Sequence, residues 1–126
     1  MVTKLKVYAV IVVTCVSLAA SVAARADDIS LVTGQQWTQS SEQVKKAYLV
    51  GIANIVQVEI AFQGGHSPAD SQSVIPRFAR GLSGESLDSV REKVDQWYAA
   101  HSDRLQRPVI ETIWFEMVVP GLAHNK

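Results

Sequence analysis

Residues 87–101 read LDSVREKVDQWYAAH, and this stretch decides the fold. Its apolar and aromatic side chains, with one histidine, recur at the spacing that places them on one side of a helix: Leu87, Val90, Val94, Trp97, Tyr98 and His101. Ser86 precedes them and can accept hydrogen bonds from the first free amides, while Asp88 is favourable in the first turn. The pattern predicts a helix that ends near Ser102 and packs one side into a core.

A further helix is predicted after Pro108, because proline is favoured in the first turn of a helix. It extends to about Val118, and its polar residues are confined to three positions: Glu111, Thr112 and Glu116. A helix that is apolar nearly all round is typical of the centre of a fold. Pro120 and Gly121 are expected to end it, so residues 119–126 are expected to form a frayed tail.

The longest predicted helix begins at residues 40–42, where serine hydroxyls can cap it, and runs to about Gln63. Apolar positions fall on one stripe at helical spacing: Val44, Tyr48, Gly51, Ile52, Ile55 and Phe62. Gly51 is unfavourable inside a helix by roughly 1 kcal/mol relative to alanine, so we expect another helix to approach closely there. Gly64 and Gly65 are expected to end this helix.

The remaining segments are short. Residues 64–73 are predicted to be a loop, residues 74–82 a short helix, and residues 27–40 an extended lead-in whose Trp37 packs back on the domain. The sequence therefore predicts an all-α fold, a small bundle of three long helices plus one short helix.

The N-terminus has the pattern of a secretory signal peptide. Two lysines precede an uncharged run at residues 7–24, and Ala-Arg-Ala at 24–26 is a small-x-small site of the kind that signal peptidase cleaves. We expect residues 1–26 to be removed, which leaves a single helical domain of residues 27–126 in the periplasm or outside the cell. A transmembrane anchor is the alternative, since a run of this length could barely span a bilayer.

Charge and cysteine content narrow the function classes. Three of the 12 basic residues lie in the leader, so nine basic and 12 acidic residues remain, a net charge of about −3 without a basic run. Nucleic acid and anionic membranes are therefore poor candidate partners, and no stable membrane insertion is expected after cleavage. The one cysteine, Cys15, also lies in the leader, which excludes thiol catalysis and disulfides from the expected mature domain.

Glu59 and His101 are the candidate functional or buried polar residues. Glu59 lies within the apolar stripe, where a carboxylate needs a partner or takes up a proton. The simplest interpretation is a structural bond to a tryptophan, a tyrosine or an arginine, the arginine candidates being Arg77, Arg80 and Arg91. Exposure at the helix end and a functional role are the alternatives. His101 falls in the last turn of its helix, where the helix dipole favours a cation, and a role as ligand or base is the alternative.

The aromatic residues are expected to dominate the core, and any that stays exposed is a candidate anchor for a partner: Trp37, Trp97, Tyr98 and Trp114. The sequence contains no catalytic motif, no phosphate-binding glycine loop and no histidine pair at metal-binding spacing. We therefore predict no catalytic residues, no metal and no cofactor.

Four short segments resemble the immunity proteins that protect bacteria from type VI secreted amidase effectors: GQQW at 34–37, KAYLVGIA at 46–53, VDQWY at 94–98 and RPVI at 107–110. The resemblance covers most of residues 34–118. It implies a compact all-helical fold and the binding of a toxin in the periplasm, often as a homodimer. The family commonly carries disulfide cysteines, which this mature chain lacks, and no toxin-contact motif can be matched.

The leading hypothesis is thus an exported, non-enzymatic binding protein of the immunity or inhibitor kind, with a protein partner. An envelope-stress or chaperone-like protein with many weak clients is the second hypothesis. A small hydrolase is the third, and it requires a pocket that holds Glu59 or His101 beside a partner side chain.

Overall fold

The computed structural model describes residues 30–64 and 73–124, and within them the predicted all-α fold is confirmed. The expected signal peptide and most of the predicted 64–73 loop lie outside the described residues. The helices are α1 (Gly34–Gln39), α2 (Glu42–Phe62), α3 (Val74–Gly81), α4 (Leu87–Ala100) and a last helix in three parts: α5 (Val109–Ile113), a π-helical segment (Trp114–Val118) and α6 (Val119–His124). A single 3-10 turn, Ser102–Arg104, follows α4.

Hydroxyl side chains begin three of these helices. Ser41 and Ser86 accept hydrogen bonds from backbone amides in the first turns of α2 and α4, as the sequence predicts. Thr33 forms a capping box with Gln36 and begins α1. The expected extended lead-in therefore contains a helix, because Thr33 and Gln36 satisfy the first free amides of even this short segment.

The last helix does not end at Pro120, contrary to the sequence expectation. The backbone amide of Val119 bonds to the carbonyl of Trp114, five residues earlier, and the helix continues through α6 to His124. Proline has no amide hydrogen and its ring clashes with an ordinary helical turn. The wider π turn just before Pro120 lets the helix pass this residue.

Gly121 serves a close crossing of two helices and does not end the last one. A Cβ atom at Gly121 would lie 1.9 Å from the carbonyl oxygen of Gly81 in α3. A Cβ atom at Gly81 would in turn lie 2.5 Å from the carbonyl oxygen of Val118. Only glycines at both positions allow α3 to pack directly on the backbone of the last helix.

The core lies between α4 and the last helix and is closed by α1, α2 and α3. Its buried apolar members are Trp37, Leu49, Phe78, Val90, Val94, Tyr98, Val109, Ile113, Met117 and Val118. The predicted buried side of α4 is confirmed at Val90, Val94 and Tyr98. Trp97 and His101 lie half-buried at the edge of that side.

Only part of the stripe predicted on α2 packs against the core, namely Tyr48 and Ile52. The buried or half-buried side is about a quarter-turn away and consists of Lys45, Tyr48, Leu49, Ile52 and Val56. Of the predicted stripe, Val44, Gly51, Ile55 and Phe62 are exposed. The orientation is fixed by contacts that a hydrophobicity pattern does not contain: Lys45 binds a carboxylate of α4, and Tyr48 packs edge-on against Trp37.

Candidate functional site

The four aromatic candidates divide between core and surface. Trp37 and Tyr98 are each 1% exposed, so they are part of the packed interior of this chain. Trp114 is half-buried, and its ring lies 5.3 Å from that of Phe78. Trp97 is also half-buried, but its ring lies in a cluster that reaches the surface.

Tyr98 holds the segment between α4 and the last helix. Its hydroxyl donates a hydrogen bond to the carbonyl of Arg107 at 2.8 Å and lies 3.0 Å from the hydroxyl of Thr112. The Thr112 hydroxyl donates to the carbonyl of Pro108 at 3.3 Å. Burial raises the pKa of the Tyr98 hydroxyl above its ordinary value of 10.0, so the hydroxyl keeps its proton and remains a donor at neutral pH.

The cluster at the surface forms around Arg107, and we call it the Arg107 patch: Trp97, His101, Arg107, Phe115 and Glu116. The guanidinium carbon of Arg107 lies 4.8 Å from the ring centroid of Trp97 and 5.5 Å from that of Phe115. Glu116 accepts a hydrogen bond from Arg107 at 2.9 Å. The arginine is thus held between two aromatic rings and a carboxylate.

His101 completes one side of the patch. Its ring stacks on Trp97 with centroids 4.2 Å apart and an angle of 16° between the planes. Its Nδ1 lies 2.7 Å from the carbonyl oxygen of Trp97, and since a carbonyl only accepts, Nδ1 must carry a proton. His101 ends α4 as its C-cap, one residue beyond the last turn in which the sequence predicts it.

The sequence does not mark three members of this patch as candidates: Arg107, Phe115 and Glu116. Phe115 lies in a helix that the sequence predicts to be apolar nearly all round, yet it is 55% exposed. A signal existed, because Phe115 follows Glu111 by four residues and therefore shares the polar side of the helix. No comparable signal marks Arg107, whose position depends on the fold of the loop before α5.

Glu59 is half-buried and accepts a hydrogen bond from the side-chain amide of Gln63, one helical turn later. Arg91, one of its expected partners, binds Glu42 and Glu92 instead. Glu59 lies in α2 and His101 at the end of α4. His101 is a member of the Arg107 patch, and Glu59 is not.

A second polar cluster ties α1, α2 and α4 together, and we call it the Lys45 network: Trp37, Glu42, Lys45, Arg91 and Asp95. The buried ammonium of Lys45 lies 2.9 Å from a carboxylate oxygen of Asp95 and 3.4 Å from Glu42. The indole of Trp37 donates to Asp95 at 2.7 Å. Every charge in this cluster has a counter-charge within the chain.

Two cavities lie beside α3. One, of about 420 Å³, is a mostly apolar groove between α2, α3 and the start of α4, and the other, of about 380 Å³, lies between α3 and α6. Neither is lined by Glu59 or His101. Over residues 30–64 and 73–124, no group of three or more metal-binding side chains occurs, and no helix is both long and apolar enough to cross a membrane.

Comparison of the chain with protein-family models, with curated proteins and with solved structures gives no significant match. The chemistry of the site therefore has to be judged from its own geometry. A fixed cation between two aromatic rings, with one ring open to solvent, is suited to binding a protein surface.

Proposed function

We propose that this chain is an exported, non-enzymatic protein that binds one protein partner through the Arg107 patch, in the manner of an immunity or inhibitor protein. The observation that carries the proposal is the state of Phe115. This large aromatic ring is 55% exposed beside an arginine that is already positioned by Trp97 and Glu116. Tryptophan and arginine are enriched among the residues that dominate binding energy at protein interfaces.

Preorganisation supports the same proposal. The Arg107 side chain is only 18% exposed, so most of its conformational freedom is lost before any partner arrives. Tyr98 fixes the backbone of the same residue. Because these side chains are already ordered in the free protein, binding a partner costs little further conformational entropy, which favours affinity. The four segments that resemble the amidase-immunity proteins point to a periplasmic partner of the toxin type.

The test is capture of partners by the tagged chain from envelope extract of its own source, read by quantitative mass spectrometry. We expect one stoichiometric partner for the wild type and at least a tenfold loss of that partner for Phe115→Ala. Val119→Ala is the matched control, because Val119 is also an exposed apolar residue of the last helix and lies outside the patch.

Two outcomes would contradict this proposal. Many weakly enriched proteins, equally captured by the wild type and Phe115→Ala, would favour the chaperone-like alternative. Capture of one partner that is unaffected by Phe115→Ala would place the binding surface elsewhere on the molecule.

A further inference from the structure

The side of α2 that faces away from the core carries an apolar row along the whole helix. We call it the outer stripe: Val44, Ala47, Gly51, Ile55, Val58 and Phe62. All six residues are exposed, and Phe62 is 87% exposed. The four larger side chains together present on the order of 400 Å² of apolar surface, which is within the roughly 300–600 Å² of the largest apolar patch on a typical monomer, a patch that is often functional.

Gly51 lies at the middle of the outer stripe and has no packing role in the described chain. Apart from the two neighbouring residues and the adjacent backbone of α2 itself, no described atom lies within 4 Å of the position that a Cβ atom would occupy there. Its backbone is ordinary helix, in which alanine would be more favourable than glycine. The missing side chain leaves a gap in the stripe that a side chain from outside can enter.

The stripe is complementary to itself in one orientation. Its two largest side chains, Ile55 and Phe62, lie in the C-terminal half, its two smallest positions, Ala47 and Gly51, lie in the N-terminal half, and each half has one valine. We propose that the outer stripe is the interface of a homodimer in which two copies of α2 pack antiparallel about a two-fold axis that crosses the stripe between Gly51 and Ile55. Such an interface uses the same surface on both copies, as two-fold symmetry requires.

This register pairs each side chain with a larger or a smaller one and never with one of equal size. Phe62 of one copy lies over Val44 of the other, and Val58 lies against Ala47. Ile55 enters the gap at Gly51, and the two-fold axis repeats each pair. A parallel arrangement would instead place Gly51 against Gly51 and leave the gap empty, which forfeits contacts.

Charge also favours a second copy over a membrane surface. No charged residue occurs from Ala47 to Val58, and the charge next to Ile55 and Phe62 is an acid, Glu59, which is half-buried and accepts a hydrogen bond from Gln63. Helices that bind anionic membranes carry lysine and arginine beside their apolar side. In the antiparallel dimer, by contrast, the two copies of Glu59 would lie about 18 Å apart along the helices, beyond the range of strong like-charge repulsion.

The size of the stripe sets the expected affinity. Two copies would bury about 1,000 Å² in total once the polar rim is included, which is at the low end of specific interfaces. We therefore expect a reversible dimer with a Kd in the micromolar range. The surface is separate from the Arg107 patch, so the dimer and the proposed partner binding can fail independently.

The first test is sedimentation velocity of the full chain, purified in the form that the cell produces, from about 1 to 300 µM, a range that brackets the expected Kd. The wild type should approach twice the monomer mass, and Ile55→Glu should remain monomeric. Val50→Glu is the matched control: Val50 is an exposed valine of the same helix, off the stripe, so this variant should dimerise like the wild type. A monomeric wild type, or equal behaviour of the two variants, would overturn the proposal.

Gly51→Leu separates dimerisation from folding. Leucine is a better helix former than glycine, and its Cβ atom would have open space at this exposed position, so the monomer should unfold at a higher temperature. The same side chain fills the gap that Ile55 needs, so the dimer should weaken at least tenfold. A lower unfolding temperature would instead show that another part of the same chain covers Gly51, and would overturn the proposal.

Disulfide trapping tests the register. In a Cys15→Ser background, Ala47→Cys combined with Val58→Cys should give a covalent dimer on oxidation. Ala47→Cys alone should not, because the two copies of residue 47 would lie about 17 Å apart along the helices, beyond the reach of a disulfide. Wild-type binding to phosphatidylcholine–phosphatidylglycerol vesicles, lost in Ile55→Glu and without any dimer in solution, would assign the stripe to membranes and reject the homodimer.

Discussion

The Lys45 network and the Arg107 patch contain the same kinds of group and use them differently. Each has a tryptophan, a cation and a carboxylate within about 6 Å of one another. In the network, Lys45 is held by two carboxylates and Trp37 is buried. In the patch, one carboxylate holds Arg107 and Phe115 remains open to solvent.

The difference teaches which cluster can bind and which only supports the fold. A buried charge without its partner costs several kcal/mol, so the groups of the Lys45 network are committed to one another. In the patch, Arg107 is paired with Glu116, but the ring of Phe115 is exposed. A partner could contact this ring without breaking an existing contact. Removing the carboxylate from each cluster is the direct test of this contrast.

Asp95→Ala should have the largest effect on stability. It leaves the ammonium of Lys45 with only Glu42 and leaves the indole of Trp37 without its acceptor. Because Asp95 is 33% exposed, we expect a loss of about 2–3 kcal/mol in the free energy of unfolding, below the 3–5 kcal/mol typical of a fully buried pair. Urea denaturation followed by circular dichroism measures it.

Two variants control that experiment. Asp95→Asn keeps an acceptor for Trp37 and should recover part of the loss. Glu116→Ala removes the matching carboxylate from the Arg107 patch, where the pair is more exposed, and should cost less than about 1 kcal/mol. Equal costs for Asp95→Ala and Glu116→Ala would remove the distinction between the two clusters.

How far the sequence predicts this fold depends on what each signal measures. Capping serines and glycine-rich loops act locally, so the bounds of α2, α3 and α4 follow from the sequence. The packed side of α2 does not, because the two apolar rows of this helix compete and the choice depends on Lys45 reaching Asp95 across 50 residues. A hydrophobic pattern records only that two such rows exist.

The end of the chain shows the same limit. Pro120 and Gly121 form a standard stop signal, and they are overruled by a π turn and by the crossing of Gly81 with Gly121. The Arg107 patch is equally difficult to predict from the sequence. Its aromatic rings belong to α4 and the last helix, and its cation belongs to the loop between them. The sequence identifies which aromatic residues are candidate anchors, but their exposure depends on the fold.

Alkaline pH provides a second, smaller test, through the tyrosine that supports the patch. Burial raises the pKa of Tyr98, so the folded state holds this proton more tightly than the unfolded state. Its contribution to stability is complete below the unfolded value near pH 10 and is lost as the pH rises through the higher folded value. The free energy of unfolding should therefore fall above pH 10.

Tyr98→Phe isolates that contribution. At neutral pH the variant should be less stable than the wild type by about 1 kcal/mol, because it loses the hydrogen bond to the Arg107 carbonyl. Above pH 10 the gap should narrow, since only the wild type has this phenol to ionise. Burial also raises the pKa of Tyr48, so Tyr48→Phe is a suitable comparison, and a gap that stays constant with pH would contradict the assignment to Tyr98.

The smallest effect is expected at the pair of Lys93 and Glu85, whose cation is 48% exposed and has no aromatic ring stacked on it. Glu85 accepts hydrogen bonds from Lys93 and Ser89, and the bond from Lys93 is the main cause that lowers the pKa of its carboxyl. A lowered pKa gives stability that is present above the ordinary value of 4.5 and lost as the pH falls through the folded value. Solvent screens this pair, so Glu85→Gln should cost less than about 0.5 kcal/mol at pH 7, and salt at about 1 M should abolish the difference. Two results together would contradict this contrast: a loss of stability in Glu85→Gln equal to that in Glu116→Ala, and a loss that salt does not abolish. The stacking of Arg107 between Trp97 and Phe115 would then add nothing to its ion pair. The patch would be no more preorganised than an ordinary surface.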